Sequence, residues 1–153
     1  MRRRRLLLSA AHRRLLVAAA RGAAPEECCG ILVGRRSAGA AVVTRVVAGE
    51  NAGLRDRERR YEIDPRLLLA AWRAARAAGE DVVGFYHSHP GGRCRPSAGD
   101  AAAALPGMSY VIVAPGRRAW ETASWHGRRG AGLEREEIGG APPPVATRGE
   151  GRA

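Results

Sequence analysis

Two histidines one residue apart, His87 and His89, are the side chains in this sequence best suited to binding a metal ion. Side chains on an extended segment alternate between its two faces, so these imidazoles point to the same side. The preceding run, residues 81–86 (DVVGFY), is short, apolar and rich in strand-forming residues, which predicts a buried strand that ends at the histidines. Because imidazole nitrogens bind zinc, the pattern predicts a zinc site at the end of this strand.

A catalytic zinc site needs a third protein ligand and a base nearby. Asp100 is the nearest carboxylate after the histidines and follows a segment rich in glycine and proline, residues 91–96 (GGRCRP). Such a segment folds the chain back, so we expect Asp100 to be the third ligand. A carboxylate outside the ligand set commonly takes the proton from water, and Glu27, between a predicted helix and a predicted strand, is our candidate for that base.

Each of these residues also has a purely structural interpretation. A His-x-His pair occurs in strands that bind no metal, and Glu27 taken alone is an ordinary solvated carboxylate. Residues 97–100 (SAGD) fit a helix N-cap with an acidic residue at position N3, because alanines follow. Capping and metal binding are compatible, since a cap that fixes Asp100 also orients a ligand. The joint occurrence of all these elements favours the functional interpretation.

The order of these elements resembles the JAMM (MPN+) metallopeptidase family. The matching elements are residues 25–27 (PEE), 30–34 (GILVG), 87–90 (HSHP) and 97–100 (SAGD), and the resemblance runs from about residue 10 to residue 125. It implies that His87, His89 and Asp100 are zinc ligands and that Glu27 is the general base and proton shuttle. It also implies that Ser97 stabilises the oxyanion of the tetrahedral intermediate. No position of the family pattern is substituted.

Glu26 and Glu27 are adjacent, and the family spacing distinguishes them. In the family, the glutamate lies two residues after the proline and three before the first glycine of the strand. Pro25 and Gly30 therefore select Glu27. We expect Glu26 to face solvent.

The resemblance further implies a fold and an activity. The fold class is α/β, a mixed β-sheet flanked by helices in a JAMM/MPN sandwich that resembles cytidine deaminases. The activity is zinc-dependent hydrolysis of an amide or isopeptide bond at the C-terminal Gly-Gly tail of a ubiquitin-like or sulfur-carrier protein, including release of cysteine from a carrier adduct. The chain resembles the small prokaryotic members more than the eukaryotic deubiquitinases, because it is compact and the segment between Pro90 and Ser97 is short.

Of two other functional classes, one remains as an alternative and one is excluded. A DNA-associated or non-catalytic JAMM-like binding module is the alternative to an enzyme. A zinc nucleobase deaminase is excluded because its His-x-Glu and Pro-Cys-x-x-Cys signature is absent.

The charge of the chain is strongly positive. The formal net charge is +11, and the 26 basic residues are all arginine. Such a charge suits a nucleic-acid partner. However, the arginines are scattered along the sequence, and zinc-finger spacing and aromatic-rich single-strand binding motifs are absent. We therefore expect a protein substrate rather than nucleic acid, and the sequence does not predict an oligomeric state.

Length, cysteines and hydropathy bound the class of protein. The chain of 153 residues suits one domain with a buried core. An adjacent pair, Cys28 and Cys29, and a lone Cys94 do not form the paired framework of secreted proteins, which favours a reducing, cytoplasmic location. The basic N-terminus resembles the start of an export signal, but residues 12–14 (HRR) interrupt the apolar run. No stretch is long enough to span a membrane, so we expect a soluble protein.

Cys94 has two interpretations. It is either a small loop residue or a thiol whose thiolate occupies the open position on zinc and suppresses activity. Cys28 and Cys29 are expected in the core.

The other elements follow from periodicity and turn signals. The predicted elements are a helix over 10–21 capped by Ser9 with Leu15, Leu16, Ala19 and Ala20 on its apolar stripe, a hairpin of strands 28–35 and 40–48, a solvated connection over 50–60, a short strand over 61–63, a helix from Asp64-Pro65 to Gly79, strands over 108–114 and 118–125, and an edge strand over 133–138. His126 is expected at the surface. Residues 1–138 form the predicted domain, and residues 139–153 are expected to be a disordered tail.

Overall fold

The computed structural model describes residues 3–130 and 132–141. In this part of the chain the helices and strands are, in order, β1 (Arg5–Leu7), α1 (Ala10–Ala23), β2 (Cys29–Ser37), β3 (Ala40–Gly49), α2 (Pro65–Ala77), β4 (Asp81–Ser88), α3 (Ala98–Ala103), β5 (Ser109–Pro115), β6 (Trp120–Gly127) and β7 (Leu133–Gly139).

The strands form one mixed sheet. They are paired in the order β1-β3-β2-β4-β5-β6-β7, and β1 also pairs with β7, so the sheet closes into a barrel. The pairs β1–β3, β1–β7 and β4–β5 are parallel, and the remaining neighbours are antiparallel. The mixed sheet with flanking helices confirms the predicted α/β class, and β4 lies between β2 and β5.

Two apolar clusters stabilise the sheet. Leu16 of α1 packs into the first cluster, and Ala75 of α2 packs into the second. Adjacent residues of β5 divide between them, with Val111 in the first and Tyr110 in the second, which places the clusters on opposite faces of the strand. Complete burial of a side chain such as Leu16 contributes about 1.5–3 kcal/mol.

The helices begin where the sequence predicts them. The Ser9 side chain accepts a hydrogen bond from the backbone N–H of His12 at 3.0 Å. The Asp64 carboxylate accepts one from the N–H of Arg66 at 2.8 Å, with Pro65 at the first helical position. These caps satisfy backbone donors that have no partner inside the helix.

Strand β4 lies so close to its neighbours that two glycines are required. A Cβ atom on Gly84 would collide with the carbonyl group of Ser109 in β5, and one on Gly30 would collide with the ring of Tyr86. Opposite β2, strand β4 also carries one extra residue, Val83, which is a β-bulge. These features fix the lateral position of the strand that carries the predicted histidine pair.

Two predictions about strands are wrong, and one strand was not predicted. The apolar residues near the N-terminus form β1, with Leu6 fully buried, so they close the barrel. Residues 61–63 are not a strand, because the backbone of Glu62 bonds to Ala52 and to the Asn51 side chain instead of to a neighbouring strand. Strand β7 is not at an edge, since it pairs with both β6 and β1.

The burial of His126 and the exposure of Leu15 also differ from expectation. Helix α1 continues through Gly22, and it buries His12 together with Leu16 while Leu15 is 56% exposed. His126 is buried, 8% exposed, and its Nδ1 lies 3.7 Å from a carboxylate oxygen of Glu136. In each case, packing against a neighbouring element, and not the periodicity of the local sequence, determines which side chains are buried.

The predicted C-terminal tail mostly lies outside the described residues, which end at 141. Gly139 belongs to β7 and pairs with Leu7, so the last strand extends one residue beyond the expected end of the domain. Among the described helices, none combines the length and apolarity that crossing a bilayer requires.

Candidate metal centre

The end of β4 presents both predicted histidines on one side. His87 pairs with Cys29 of β2 and Ile112 of β5, and it is fully buried. The backbone N–H of His89 donates to the carbonyl of Val113 at 2.9 Å, which extends the pairing with β5 past the end of the strand. The ring centroids of the two imidazoles are 4.8 Å apart. The alternation inferred from the sequence is therefore observed.

Ser88, between the histidines, joins β4 to the segment that carries Glu27. Its Oγ accepts a hydrogen bond from the N–H of Cys28 at 2.7 Å, and its own N–H donates to the carbonyl of Cys28 at 3.1 Å. Alternation along the strand directs Ser88 away from the histidines. This pair of bonds fixes Glu27 in the chain next to the histidine pair.

Glu27 is held in place by the connection between β3 and α2. Its N–H donates to the carbonyl of Arg57 at 2.8 Å, and the Asn51 side-chain amide donates to its carbonyl at 3.2 Å. The Glu27 side chain is 4% exposed, and its Oε1 lies 3.6 Å from Nε2 of His89. Glu26 is exposed as expected, and its carboxylate is 4.0 Å from Arg57.

Asp100 reaches the histidines from the first turn of α3. The Ser97 Oγ accepts from the N–H of Asp100 at 3.0 Å, and Asp100 Oδ2 accepts from the N–H of Ser97 at 2.8 Å, which is a capping box. The same Oδ2 lies 3.2 Å from Nε2 of His87 and 3.3 Å from Nε2 of His89. Asp100 therefore takes part in the helix cap and also lies beside both histidines.

The donor atoms are spaced as zinc ligands would be. The two histidine Nε2 atoms are 3.1 Å apart, and Asp100 Oδ2 lies 3.2 and 3.3 Å from them. Ligands about 2.0–2.2 Å from a tetrahedral ion are separated by roughly 3.3–3.6 Å. The three atoms therefore fit a zinc ion with little adjustment. Glu27, His87 and His89 also place ligand atoms within 4.8 Å of one another, so Glu27 lies at the border of the same centre.

Hydrogen bonding fixes the tautomer of His89. Its Nδ1 lies 2.8 Å from the carbonyl oxygen of Arg93, which can only accept, so Nδ1 carries the proton and the neutral ring directs a lone pair on Nε2 toward the cluster. His87 is stacked against Tyr61, with ring centroids 4.4 Å apart and an interplanar angle of 21°. The Nδ1 of His87 is buried and has no hydrogen-bond partner among the described residues. Both rings are therefore oriented by neighbours outside the cluster.

Burial and mutual contact shift the pKa values of all four groups. Burial raises the pKa of Glu27 to about 7, with His89 opposing the shift and the charge of Asp100 adding to it. Burial lowers the pKa of His87, against the effect of Asp100. For His89, burial is outweighed by the bonds to Asp100 and Arg93, so its pKa is raised. For Asp100, burial is likewise outweighed by both imidazoles, and its pKa lies well below its usual range. Asp100 and His87, whose pKa values are both lowered, suit a cation, because carboxylate and imidazole ligands bind a metal in their deprotonated forms.

A cavity of about 810 Å³ adjoins the centre. Ser97, Asp100 and Tyr61 line it on the side of the cluster, and Phe85 and Leu105 contribute to its apolar wall. A cavity of this size falls within the usual range for ligand sites. Of the four groups of the centre, Asp100 is the one that lines this cavity, so the cavity meets the centre at Asp100.

Three residues that position the site were not predicted as site residues, namely Tyr61, Ser88 and Asn51. Tyr61 and Asn51 lie far from the motifs in sequence, and only the folded chain brings them to His87 and Glu27. Ser88 did carry a signal, because the residue between two ligands on a strand must point to the opposite face.

Cys94 does not belong to the centre. Its thiol donates to the carbonyl of Glu121 in β6 at 3.2 Å, and burial raises the pKa of that thiol. The structure thus supports the interpretation of Cys94 as a small loop residue and not as a thiolate ligand. Cys28 and Cys29 are buried in the core, as expected.

Comparison with known proteins places the chain in a family. The family described as prokaryotic homologs of the JAB domain matches residues 9–123. The chain is also similar to the desampylase of Haloferax volcanii, with 46% identity over 59 residues, which are 38% of this chain and 42% of that protein. The chain thus matches less than half the length of that curated relative.

Several solved structures are similar to most of this chain. A protein from Desulfitobacterium hafniense has a TM-score of 0.79 and 32% identity over 92% of this chain and 95% of its own. A protein from Salinibacter ruber has a TM-score of 0.63 and 34% identity over 92% of each chain. A JAB1/MPN domain protein from Archaeoglobus fulgidus, with a TM-score of 0.51 and 18% identity over 91% of this chain and 100% of its own, shares the fold. The chain therefore belongs to the family of prokaryotic homologs of the JAB domain, within the JAMM/MPN proteins that its motifs resemble.

Proposed function

We propose that this protein is a zinc-dependent hydrolase that cleaves an amide or isopeptide bond after the C-terminal Gly-Gly tail of a ubiquitin-like or sulfur-carrier protein. The observation that carries the proposal is the convergence of His87, His89 and Asp100 through atoms 3.1–3.3 Å apart, with the Glu27 carboxylate beside them. A structural role alone gives no reason for four such groups to meet next to an open cavity.

In the proposed centre, His87, His89 and Asp100 hold zinc. Asp100 is favoured over Glu27 as the third ligand because its Oδ2 is near both imidazoles, at 3.2 and 3.3 Å, whereas Glu27 lies 3.6 Å from His89. When bound, zinc supplies Lewis acidity, which makes water acidic near neutral pH and polarises a carbonyl group.

Glu27 is the proposed proton carrier. Its carboxylate accepts the proton of the attacking water at Oε1 and returns it to the nitrogen of the leaving amine. The burial of the side chain supports this role, because a desolvated carboxylate binds a proton more strongly than one in water. Its backbone is held by Arg57 and Asn51, which keeps the carboxylate beside the histidines during the transfer.

Ser97 is the proposed donor to the oxyanion. Its Oγ already accepts a bond from the N–H of Asp100, so the hydroxyl proton remains available to donate. Ser97 is exposed and lines the cavity beside Asp100. A donor in such a position stabilises negative charge that develops on the carbonyl oxygen, and its removal typically costs about 10²–10³ in rate.

The substrate class is supported by the family and by one relative. The name desampylase denotes removal of a ubiquitin-like modifier from its conjugates, and the cavity beside Ser97 is open to an extended chain. A sulfur-carrier protein with the same kind of tail is the second member of this class, with release of cysteine from the adduct as the reaction. The three free thiols are consistent with a reducing, cytoplasmic setting for it.

The proposal is tested with conjugates of ubiquitin-like and sulfur-carrier proteins whose Gly-Gly tail is joined to lysine or cysteine. Mass spectrometry identifies the bond that is cut. We expect cleavage after the second glycine by zinc-loaded protein, no cleavage after chelation, and recovery when zinc is restored. The matched control is a conjugate in which both tail glycines are replaced by valine.

Two results would contradict the proposal. Cleavage that persists after complete removal of the metal would exclude the zinc mechanism. Binding of the conjugate without cleavage by the zinc-loaded protein would favour the alternative of a non-catalytic JAMM-like module.

A further inference from the structure

A second groove lies beside the loop that follows His89. Its volume is about 610 Å³, and it is bounded by residues 92–95, by the turn between β5 and β6, and by strands β6 and β7. The charged residues that line it are four arginines and one glutamate: Arg93, Arg95, Arg117, Arg135 and Glu121. The groove is therefore strongly positive, in contrast to the acidic metal centre.

The four arginines are available to a ligand. All four are exposed, and within the described part of the chain none lies within 4.0 Å of a carboxylate oxygen. Other arginines of this protein do have such partners, for example Arg36 with Asp81 at 3.3 Å. Arginines without partners around one concave surface form a site for carboxylates, which they bind in a two-pronged geometry.

The groove has a defined shape because both of its sides are anchored. The Cys94 thiol donates to the carbonyl of Glu121 in β6 at 3.2 Å, which ties the loop to the sheet. On the other side, the Arg135 guanidinium lies 5.2 Å from the centroid of the Trp125 ring, a cation–π contact that limits its motion. A preorganised set of charges loses less entropy on binding than mobile side chains.

The groove is connected to the metal centre through the backbone. The N–H of Gly92 donates to the carbonyl of His89 at 3.1 Å, and the carbonyl of Arg93 accepts from Nδ1 of His89 at 2.8 Å. A ligand in the groove therefore lies against the same loop that orients a proposed zinc ligand. This adjacency favours a partner whose tail enters the centre while its body rests on the groove.

We propose that this groove, defined by Arg93, Arg95, Arg117 and Arg135, docks an acidic segment of the substrate protein whose tail is cleaved. This inference rests on the proposed function, which makes the docked partner a substrate. It adds that this substrate carries acidic residues near its tail. Exposed charge pairs of this kind accelerate association and contribute modest affinity.

The test uses two fluorescein-labelled peptides that end in Gly-Gly joined to a fluorogenic amine. One carries glutamates before the tail, and its twin carries glutamines at the same positions. The groove variant combines Arg95→Gln, Arg117→Gln and Arg135→Gln, while Arg93 is left intact because its carbonyl holds His89. The control variant combines Arg14→Gln, Arg21→Gln and Arg73→Gln, three exposed arginines on α1 and α2. Thermal unfolding establishes that both variants are folded.

We expect the wild-type protein to bind the glutamate peptide more tightly than its twin, measured by fluorescence anisotropy. The groove variant should lose about tenfold in affinity for the glutamate peptide and nothing for the twin, and the control variant should behave like wild type. The preference should shrink as salt is raised above about 0.15 M. The same change should appear in KM, with kcat unaltered.

Three results would overturn the inference. They are equal binding of the two peptides by the wild-type protein, an equal loss in the control and groove variants, and arginine-dependent binding of duplex DNA that is tighter than binding of the glutamate peptide. Equal binding with hydrolysis of both peptides would leave the proposed function intact. Arginine-dependent binding of the glutamate peptide with hydrolysis of neither would contradict the proposed function and retain an acidic partner.

Discussion

Replacing Glu27 with glutamine should stop the reaction while leaving the metal bound. The substitution keeps the size of the side chain and removes the group that accepts a proton. The backbone bonds that hold Glu27 involve only its N–H and carbonyl, toward Arg57 and Asn51, so they survive the change. General-base catalysis contributes about 10²–10⁴ in rate, which corresponds to roughly 3–5 kcal/mol in the activation barrier.

The assay compares kcat on the Gly-Gly conjugates with the zinc content of the purified protein, measured by mass spectrometry of the metal. Glu26→Gln is the matched control, because Glu26 is adjacent in sequence, exposed, and within salt-bridge distance only of Arg57, at 4.0 Å, in the described chain. We expect Glu27→Gln to lose at least about a hundredfold in kcat with zinc retained, and Glu26→Gln to match the wild type.

Two outcomes would refute this reasoning. Full activity of Glu27→Gln would show that another group carries the proton. Loss of zinc in Glu27→Gln, with zinc retained in Asp100→Asn, would show that Glu27 is the ligand and Asp100 the base. Glu27 is a possible ligand in geometry, because its ligand atom and those of the two histidines lie within 4.8 Å of one another.

Three further predictions concern the metal, the sheet and a buried carboxylate. Zinc at a hundredfold excess over its Kd should stabilise the wild type by about 2.7 kcal/mol and so raise its melting temperature. Asp100→Asn should abolish this rise. An equal rise in the variant would exclude Asp100 as a ligand. Gly84→Ala should lower the free energy of unfolding by about 1–3 kcal/mol in urea, because its Cβ would collide with Ser109. Gly91→Ala, with open space around it, should change stability by less than about 0.5 kcal/mol, and similar losses at both sites would contradict the packing argument. Burial raises the pKa of Glu136 above its usual 4.5, so the folded state binds the Glu136 proton more strongly than the unfolded chain does. The free energy of unfolding of the wild type, relative to that of Glu136→Gln, should therefore fall as the pH rises above about 4.5. Urea midpoints of the two proteins measured from pH 4 to pH 8 would check this, and a constant difference would contradict it.

The sequence predicted the parts of the site that depend on local rules. Alternation along a strand was sufficient to place His87 and His89 together, and turn and cap preferences were sufficient to place Ser97 and Asp100 at the start of α3. The position of Glu27 beside them came from a family resemblance, since nothing local relates residue 27 to residue 89. Their roles as base, ligands and oxyanion donor remain predictions.

The features that the sequence did not predict depend on contacts between distant segments. β1 is three residues long, too short for periodicity to indicate a strand, and it exists because β3 and β7 supply partners on both sides. His126 was expected at the surface because histidine is polar, but strand β7 covers it with Glu136. Tyr61 reaches His87 from a segment without regular structure, so no repeat in the sequence marks it.

The most direct test of the metal centre is diffraction at the zinc absorption edge from crystals of the zinc-loaded protein. The account predicts one strong anomalous peak with Nε2 of His87, Nε2 of His89 and one oxygen of Asp100 at about 2.0–2.2 Å, and with Glu27 outside this distance. A peak elsewhere in the protein, or Glu27 in the position assigned to Asp100, would contradict it.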